Sequence, residues 1–213
     1  MDLTFPGTER KTMTLHSPLQ QVRAYWEGLR DGTALPRREA IDPRGLSGAL
    51  EQVFLIERVA PGIARLRLAG ALLQEVLGME VRGMPLFALF EPATRARLGQ
   101  ALEGLFTTPA VLDLWLEAER GIGRPALRGR MLLLPVCGNR DEPGLALGCL
   151  CVEGQIGRCP RRFAISGLAE EPLAMPQTEP AEPLPGLAEA PPVPFVPAPP
   201  RSRPALRLVH SRD

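Results

Sequence analysis

The sequence predicts an α+β protein: an antiparallel sheet of five strands, a helix ahead of it, helices inserted between the second and third strands, and a proline-rich tail behind it. Three observations predict this. Apolar residues recur at helical spacing before residue 32, at strand spacing from 52 to 69 and again from 111 to 152, and at helical spacing in between. Short turns rich in glycine or proline join the strand-like runs, which suits antiparallel neighbours rather than the long crossovers of a parallel sheet. Finally, 12 of the 24 prolines fall between Pro172 and Pro204, where repeated proline favours extended segments over a packed core.

The elements follow in order. Residues 1–16 hold no sustained period and read as a flexible arm. Ser17-Pro18-Leu19-Gln20 has the pattern of a capping box with proline at the first helical position, so a helix is expected over 18–31. Leu19, Val22, Trp26 and Leu29 stack on one of its faces, and Gly32 stops it. Residues 35–50 are a connector. Gln52 to Val59 and Ile63 to Ala69 flank Pro61-Gly62 and predict a hairpin with Arg65 and Arg67 on a wet face and Leu66 and Leu68 on a dry one. Ala71 to Leu77 predicts a short helix ending at Gly78; Gly83 and Pro85 break the next piece. Pro92 opens a longer helix whose stripe is Leu98, Ala101, Leu102, Leu105 and Phe106.

Three more strands are expected at Val111 to Glu119, Ala126 to Val136 and Leu145 to Val152. In the first of them Leu112, Leu114, Leu116 and Ala118 share one face while Asp113, Trp115, Glu117 and Glu119 share the other. A Trp on a polar face calls for a cover, and the helix bearing Trp26 is the expected one, from its own chain or a partner's. Arg128 and Arg130 share a face with Leu132, Leu134 and Val136. Folded structure should end near residue 170. The domain is bounded at 17–163 with its core at 50–155, leaving 164–213 as a largely disordered tail, either a spacer or a docking peptide at Pro191 to Pro200.

Composition narrows function. With 213 residues, 45% hydrophobic and 23% charged, the chain suits one domain at ~100–200 residues per domain. Its 25 basic and 24 acidic residues leave a net charge of +1, no footprint for wholesale nucleic-acid or membrane binding. An 18-residue apolar run and a secretory h-region are both missing, so a cytoplasmic protein without membrane insertion is expected.

Five words in order resemble one set of proteins: WEGLR at Trp26–Arg30, LPRR at Leu35–Arg38 followed by Ile41-Asp42-Pro43, RLRLAG at Arg65–Gly70, GMEVRG at Gly78–Gly83 and GRCPRRF at Gly157–Phe163. The stretch from about Leu19 to about Phe163 resembles the PAS-domain proteins of alphaproteobacteria that form a PAS family of unknown function. The resemblance implies a PAS-like five-stranded sheet whose concave face and helical insert can enclose a small ligand, and an N-terminal helix that commonly mediates dimerisation. It supplies no ligand, since fold does not fix function.

Chemistry is mostly missing. His16 and His210 are the only histidines and lie outside the domain, so haem held by a proximal His and a His-based triad are disfavoured. Flavin photosensors of this fold carry a reactive Cys in an Asn-Cys-Arg-type word, and Gly70 to Phe106 contains no Cys; no cofactor is expected. Cys149 and Cys151 point to one face of a strand, about 7 Å apart, and with Cys137 and Cys159 read as core thiols rather than a metal site. Arg158 beside Cys159 leaves a redox-sensing thiol as the rival there. Gly121-Ile122-Gly123 reads as a hairpin turn, not a phosphate loop. Arg158 and Arg162 have the R-x-x-x-R spacing of one class of cyclic-dinucleotide receptors, without its companion word. Paired carboxylates and G-x-S-x-G are missing, so the chain reads as non-enzymatic.

Two functional readings result. A stand-alone regulatory module would work as a homodimer or with an unknown protein partner, through Leu19, Val22, Trp26, Leu29 and the sheet face bearing Trp115. The alternative is a sensor of an apolar or carboxylate metabolite, or less readily a nucleotide messenger, with Arg65, Arg67, Met84, Phe87, Phe90, Arg128 and Arg130 as candidate ligand contacts. A solvated sheet surface is the plain reading of the four arginines, and core packing that of the three insert side chains.

Overall fold

Alternating apolar residues build six strands, one more than the periodicity predicts. A computed structural model of the protein describes residues 8–32, 34–138 and 143–174, and in the first helix the side chains from Ser17 onward. The strands are β1 (Val53–Ala60), β2 (Ile63–Ala69), β3 (Ala110–Ala118), β4 (Leu127–Cys137), β5 (Pro143–Gly154) and β6 (Phe163–Pro172). They form one antiparallel sheet in the order β2-β1-β5-β4-β3-β6. Helices α2 (Ala71–Leu77) and α3 (Arg95–Thr107) lie between β2 and β3 in sequence, and α1 (Thr8–Gly28) precedes the sheet.

Both faces of the sheet are covered in part. The inner face, with Phe54, Ile56, Leu66, Leu112, Leu114 and Met131, packs on Leu73, Val76, Leu89, Phe90, Leu98 and Leu102 of the insert. Gly148 of β5 makes room there: a Cβ on it would sit 2.2 Å from the ring of Phe54, its cross-strand neighbour. The outer face, with Leu55, Leu132, Leu134, Leu147, Cys149 and Cys151, packs on Leu19, Val22 and Trp26 of α1. Trp26 is fully buried, and its indole N–H donates to the Pro135 carbonyl at 2.9 Å. β3 makes its last pairing with β4 at Leu133, so that carbonyl lies past β3's reach and is open to the indole. The helix covers the middle of its own chain's outer face but leaves Trp115 41% exposed, which corrects the expectation that it is the cover of that indole.

Three sequence expectations are corrected. The sheet has a sixth strand, β6, paired along β3 from Phe163 to Pro172, so the domain runs past 163 and residues 164–172 are not tail. The run from Phe163 to Leu168 mixes Ala, Ser and Gly with its apolar residues, which blurs a period of two. The proposed tail beyond residue 174, with its proline-rich peptide, lies outside the described residues. Helix α1 begins at Thr8, ten residues before 18, with Pro18 inside it, so residues 8–16 are not arm. That first stretch holds good helix formers such as Glu9, Arg10, Lys11 and Met13 but no apolar stripe, and propensity extends the helix where periodicity is silent.

The hairpin is corrected in register. β1 and β2 pair Leu55 with Leu68 but Ile56 with Leu66, a one-residue slip in the ladder. A bulge of this kind turns the strand's side chains part-way round. Leu66 stays on the inner face, whereas Leu68 emerges opposite Leu55 on the outer face, half exposed at 52%.

Candidate functional site

Helix α1 crosses the outer face over β4 and β5, which leaves both ends of that face open. At one end lies Trp115 of β3, 41% exposed. Arg130 from β4 stands opposite, its guanidinium 5.1 Å from the Trp115 ring centre. The same guanidinium grips Asp113 through Nε to Oδ1 at 2.8 Å and Nη2 to Oδ2 at 2.5 Å. That charged hydrogen bond raises the Arg130 pKa above its ordinary value against the opposing effect of burial. Arg128 and Glu117 sit 3.7 Å apart on the same two strands. On the far side, Gly167 of β6 pairs with Trp115, and a Cβ there would stand 3.1 Å from the indole. The indole is thus a held aromatic anchor inside a ring of two carboxylates and two arginines.

At the other end β1 and β2 meet the connector. A cleft of about 470 Å³ opens between the sheet and the turns at Arg38–Ala40 and Pro43–Leu46, with Ile41, Leu46, Leu50, Val53, Leu55 and Leu68 in its walls. A second of about 360 Å³ adjoins it, sharing Arg38, Leu55 and Leu68 and adding Arg65, Arg67 and Arg82. Glu57 is within 2.9 Å of Arg65 and 3.2 Å of Arg67. The free edge of β2 is partly closed by residues 83–85, where the Leu66 amide donates to the Met84 carbonyl and the Gly83 amide to that of Leu66.

The candidate residues therefore fall into three places. Arg128, Arg130 and Trp115 are brought together at one end of the outer face, and Arg65 and Arg67 stand at the other, so the two arginine pairs do not form one cluster. Phe90 is fully buried in the inner core, with Met84 and Phe87 packed against it. Leu19, Val22 and Trp26 are buried under their own chain, which corrects their assignment to an intermolecular surface: the stripe that makes the helix amphipathic is spent on the sheet. Leu29 is half-buried just beyond the helix.

Other motifs resolve as local structure. Gly121 and Arg124 close a tight hairpin turn in which Gly123 takes φ +72°. Cys137, Cys149 and Cys151 are buried and Cys159 is half-buried, its thiol donating to the Glu75 carbonyl at 2.9 Å. The Cys149 thiol is hydrogen-bonded to Cys151 and shut away from water, which together push its pKa up. Among the described residues no three His, Cys, Asp or Glu side chains converge as for a metal, and no helix is long and apolar enough to cross a membrane. Arg158 and Arg162 are exposed, while Arg161 between them is fully buried. Its Nη2 donates to the carbonyls of Glu119 at 3.0 Å and Pro125 at 2.8 Å, and its Nη1 to that of Ile156.

Sequence reasoning missed Arg161, Arg38, Arg82 and the Leu50–Leu68 cleft. The LPRR, GMEVRG and GRCPRRF words contain the three arginines, but nothing in a single sequence separates a buried Arg from its exposed neighbours.

Comparison with known proteins adds a family. The sequence model of the PAS domain matches residues 14–151. No curated protein matches the chain. Among solved structures, the crystal structure of a Rhodobacter sphaeroides LOV protein is similar to it, at a TM-score of 0.40 and 16% identity over 66% of this chain and 69% of that one. The expectation of no cofactor, in which flavin was set aside, is withdrawn. The reactive Cys word serves adduct chemistry, whereas holding a cofactor is a matter of binding and orientation. The inner-face side chains Leu66, Leu73, Leu89, Phe90 and Leu102 are apolar and fully buried, and none of these five offers a hydrogen bond to such a ring.

Proposed function

The chain belongs to the PAS domain family, a family of sensory and signalling modules, and we propose that it works by protein contact, as a cytoplasmic, non-enzymatic regulatory module whose outer sheet face makes a homodimer. The observation that carries this reading is the Trp115 end of the face: an indole 41% exposed, fixed by Arg130 above it and Gly167 behind it. Aromatic anchors of this kind are enriched where contacts matter energetically.

The chemistry of the surround favours a second copy as the first partner. A two-fold interface presents the same patch from both sides, so each patch has to complement itself. Asp113, Glu117, Arg128 and Arg130 give two charges of each sign around one apolar centre, which a rotated copy can match.

Native mass spectrometry of the full chain tests this. The wild type should appear as a dimer with a midpoint that rises with protein concentration, and Trp115→Glu as a folded monomer with one cooperative thermal transition, because Trp115 is not part of either core. A monomeric wild type, or a dimer indifferent to Trp115→Glu, overturns the reading. A reproducible extra mass on each chain would instead make the protein a ligand sensor.

A further inference from the structure

Four arginines gather at the opposite end of the outer face with few acids to answer them. Arg38 comes from the connector, Arg65 and Arg67 from β2, and Arg82 from the segment after α2. Glu57 pairs with Arg65 and Arg67, whereas the Arg38 and Arg82 guanidiniums meet no carboxylate at ion-pair distance among the described residues. Glu39 lies in the neighbouring apolar cleft, and Glu80 accepts the Arg82 backbone amide at 3.0 Å. Beside this basic patch, Leu50 and Leu68 are 47% and 52% exposed.

We propose that the β1–β2 end of the outer face is a docking groove for an acidic, amphipathic segment of another protein. Apolar side chains of that segment would fill the cleft between Leu50 and Leu68, and its Asp or Glu side chains would meet Arg38, Arg67 and Arg82. The proposal rests on the protein-contact reading above but uses the other end of the face and a different partner.

Three arguments select this occupant. A second copy of the chain is disfavoured by sign, because a patch dominated by arginine does not complement itself, unlike the balanced charges around Trp115. A peptide is favoured over a small apolar acid by shape. The two adjoining clefts of about 470 and 360 Å³ stay open above half-exposed leucines, whereas small-molecule sites enclose ~70–90% of the ligand surface. The residue types also match: guanidinium offers carboxylates a planar two-point fork, and a helix or strand laid in a groove is read through spaced apolar anchors. The slip in the β1–β2 ladder makes the site, because it sets Leu68 beside Arg65 and Arg67 on one face.

A random peptide library displayed on phage and selected on the full-length protein tests this, with selected peptides re-measured by fluorescence anisotropy. The expected winners combine two or more Leu, Ile or Phe with Asp or Glu. Leu68→Glu should weaken them about tenfold or more, as loss of an apolar anchor does, and Arg38→Glu with Arg82→Glu should weaken them similarly and more at low salt. Winners that are basic or proline-rich, winners bound equally by Leu68→Glu, or no enrichment at all overturn the proposal. Displacement of the peptides by millimolar decanoate overturns it in favour of a small-molecule site. Both variants stay dimeric if the Trp115 reading holds, and Trp115→Glu keeps peptide binding if the groove is separate, so the two readings fail independently.

Discussion

Replacing Arg161 should be the most damaging single change outside the two apolar cores. Its side chain is wholly buried and reaches four backbone carbonyls: Glu119 at the end of β3, Pro125 before β4, and Gln155 and Ile156 after β5. It thereby fastens the β3–β4 turn to the segment leading into β6. Burial lowers its pKa from the ordinary arginine value, with Arg124 adding to the effect, and its Nε has no partner among the described residues. Hydrogen bonds from a charged donor contribute about 1.5–3 kcal/mol each. Desolvating the guanidinium offsets several kcal/mol of that sum, and the carbonyls of exposed Glu119 and Pro125 recover some water when it is gone. The net loss for Arg161→Ala comes to about 3 kcal/mol. At ~2 kcal/mol per molar urea this moves the unfolding midpoint by about 1.5 M, read by fluorescence of buried Trp26. Arg161→Lys should recover only part, because one ammonium cannot span four carbonyls spread over three segments. A midpoint for Arg161→Ala that corresponds to a loss below about 0.5 kcal/mol, the range of an ordinary surface substitution, refutes the reasoning.

Trp26→Phe removes the buried bond to Pro135 and part of a ring, and should lower stability by about 2 kcal/mol in the same urea titration. Gly148→Ala forces a methyl toward the Phe54 ring and should cost about 1–3 kcal/mol, a loss that Phe54→Leu partly relieves. Under a maleimide, Cys159 should label first, while Cys137, Cys149 and Cys151 react about a hundredfold more slowly because the outer core must open to admit the reagent; mass spectrometry of timed digests reads the order.

Residues with a clean period were legible in sequence. Leu98, Ala101, Leu102, Leu105 and Phe106 form the buried face of α3 as their spacing requires, and Gly78 ends α2 in the left-handed conformation with φ +71°. Leu112, Leu114 and Leu116 face the inner core while Trp115 stays out, since alternation in β3 is unbroken up to Trp115. Legibility ended where geometry departs from period. The ladder slip at Leu55 and Ile56 moved Leu68 to the other face, and no residue type announces it. β6 borrows its order from β3 rather than from its own pattern. Of the candidate site, the place of Trp115 on the polar face of β3 was readable from its alternation, but its pairing with Arg130 waited on the β3–β4 register, and the β1–β2 groove was not readable, because Arg38 and Arg82 arrive from irregular segments whose positions only tertiary contacts fix.

Helix α1 reaches toward both open ends. Arg23 pairs with Glu171 of β6 at 2.6 Å, and the Tyr25 hydroxyl accepts from the Asp42 amide at 2.7 Å beside the connector. A helix placed this way could carry a signal from one end to the other only if it had two positions that the partners distinguish. Trp26 argues against a second position. Its indole is fully buried and hydrogen-bonded, and moving α1 would strand both the indole N–H and the Pro135 carbonyl, at about 1–3 kcal/mol for each buried group left unpaired. The exposed Arg23–Glu171 pair is worth far less, about 0–1 kcal/mol, so a partner that breaks it leaves α1 where it is. On that balance the two ends are independent surfaces on one rigid face. If the chain dimerises through Trp115, occupying the groove should leave the dimer constant unchanged.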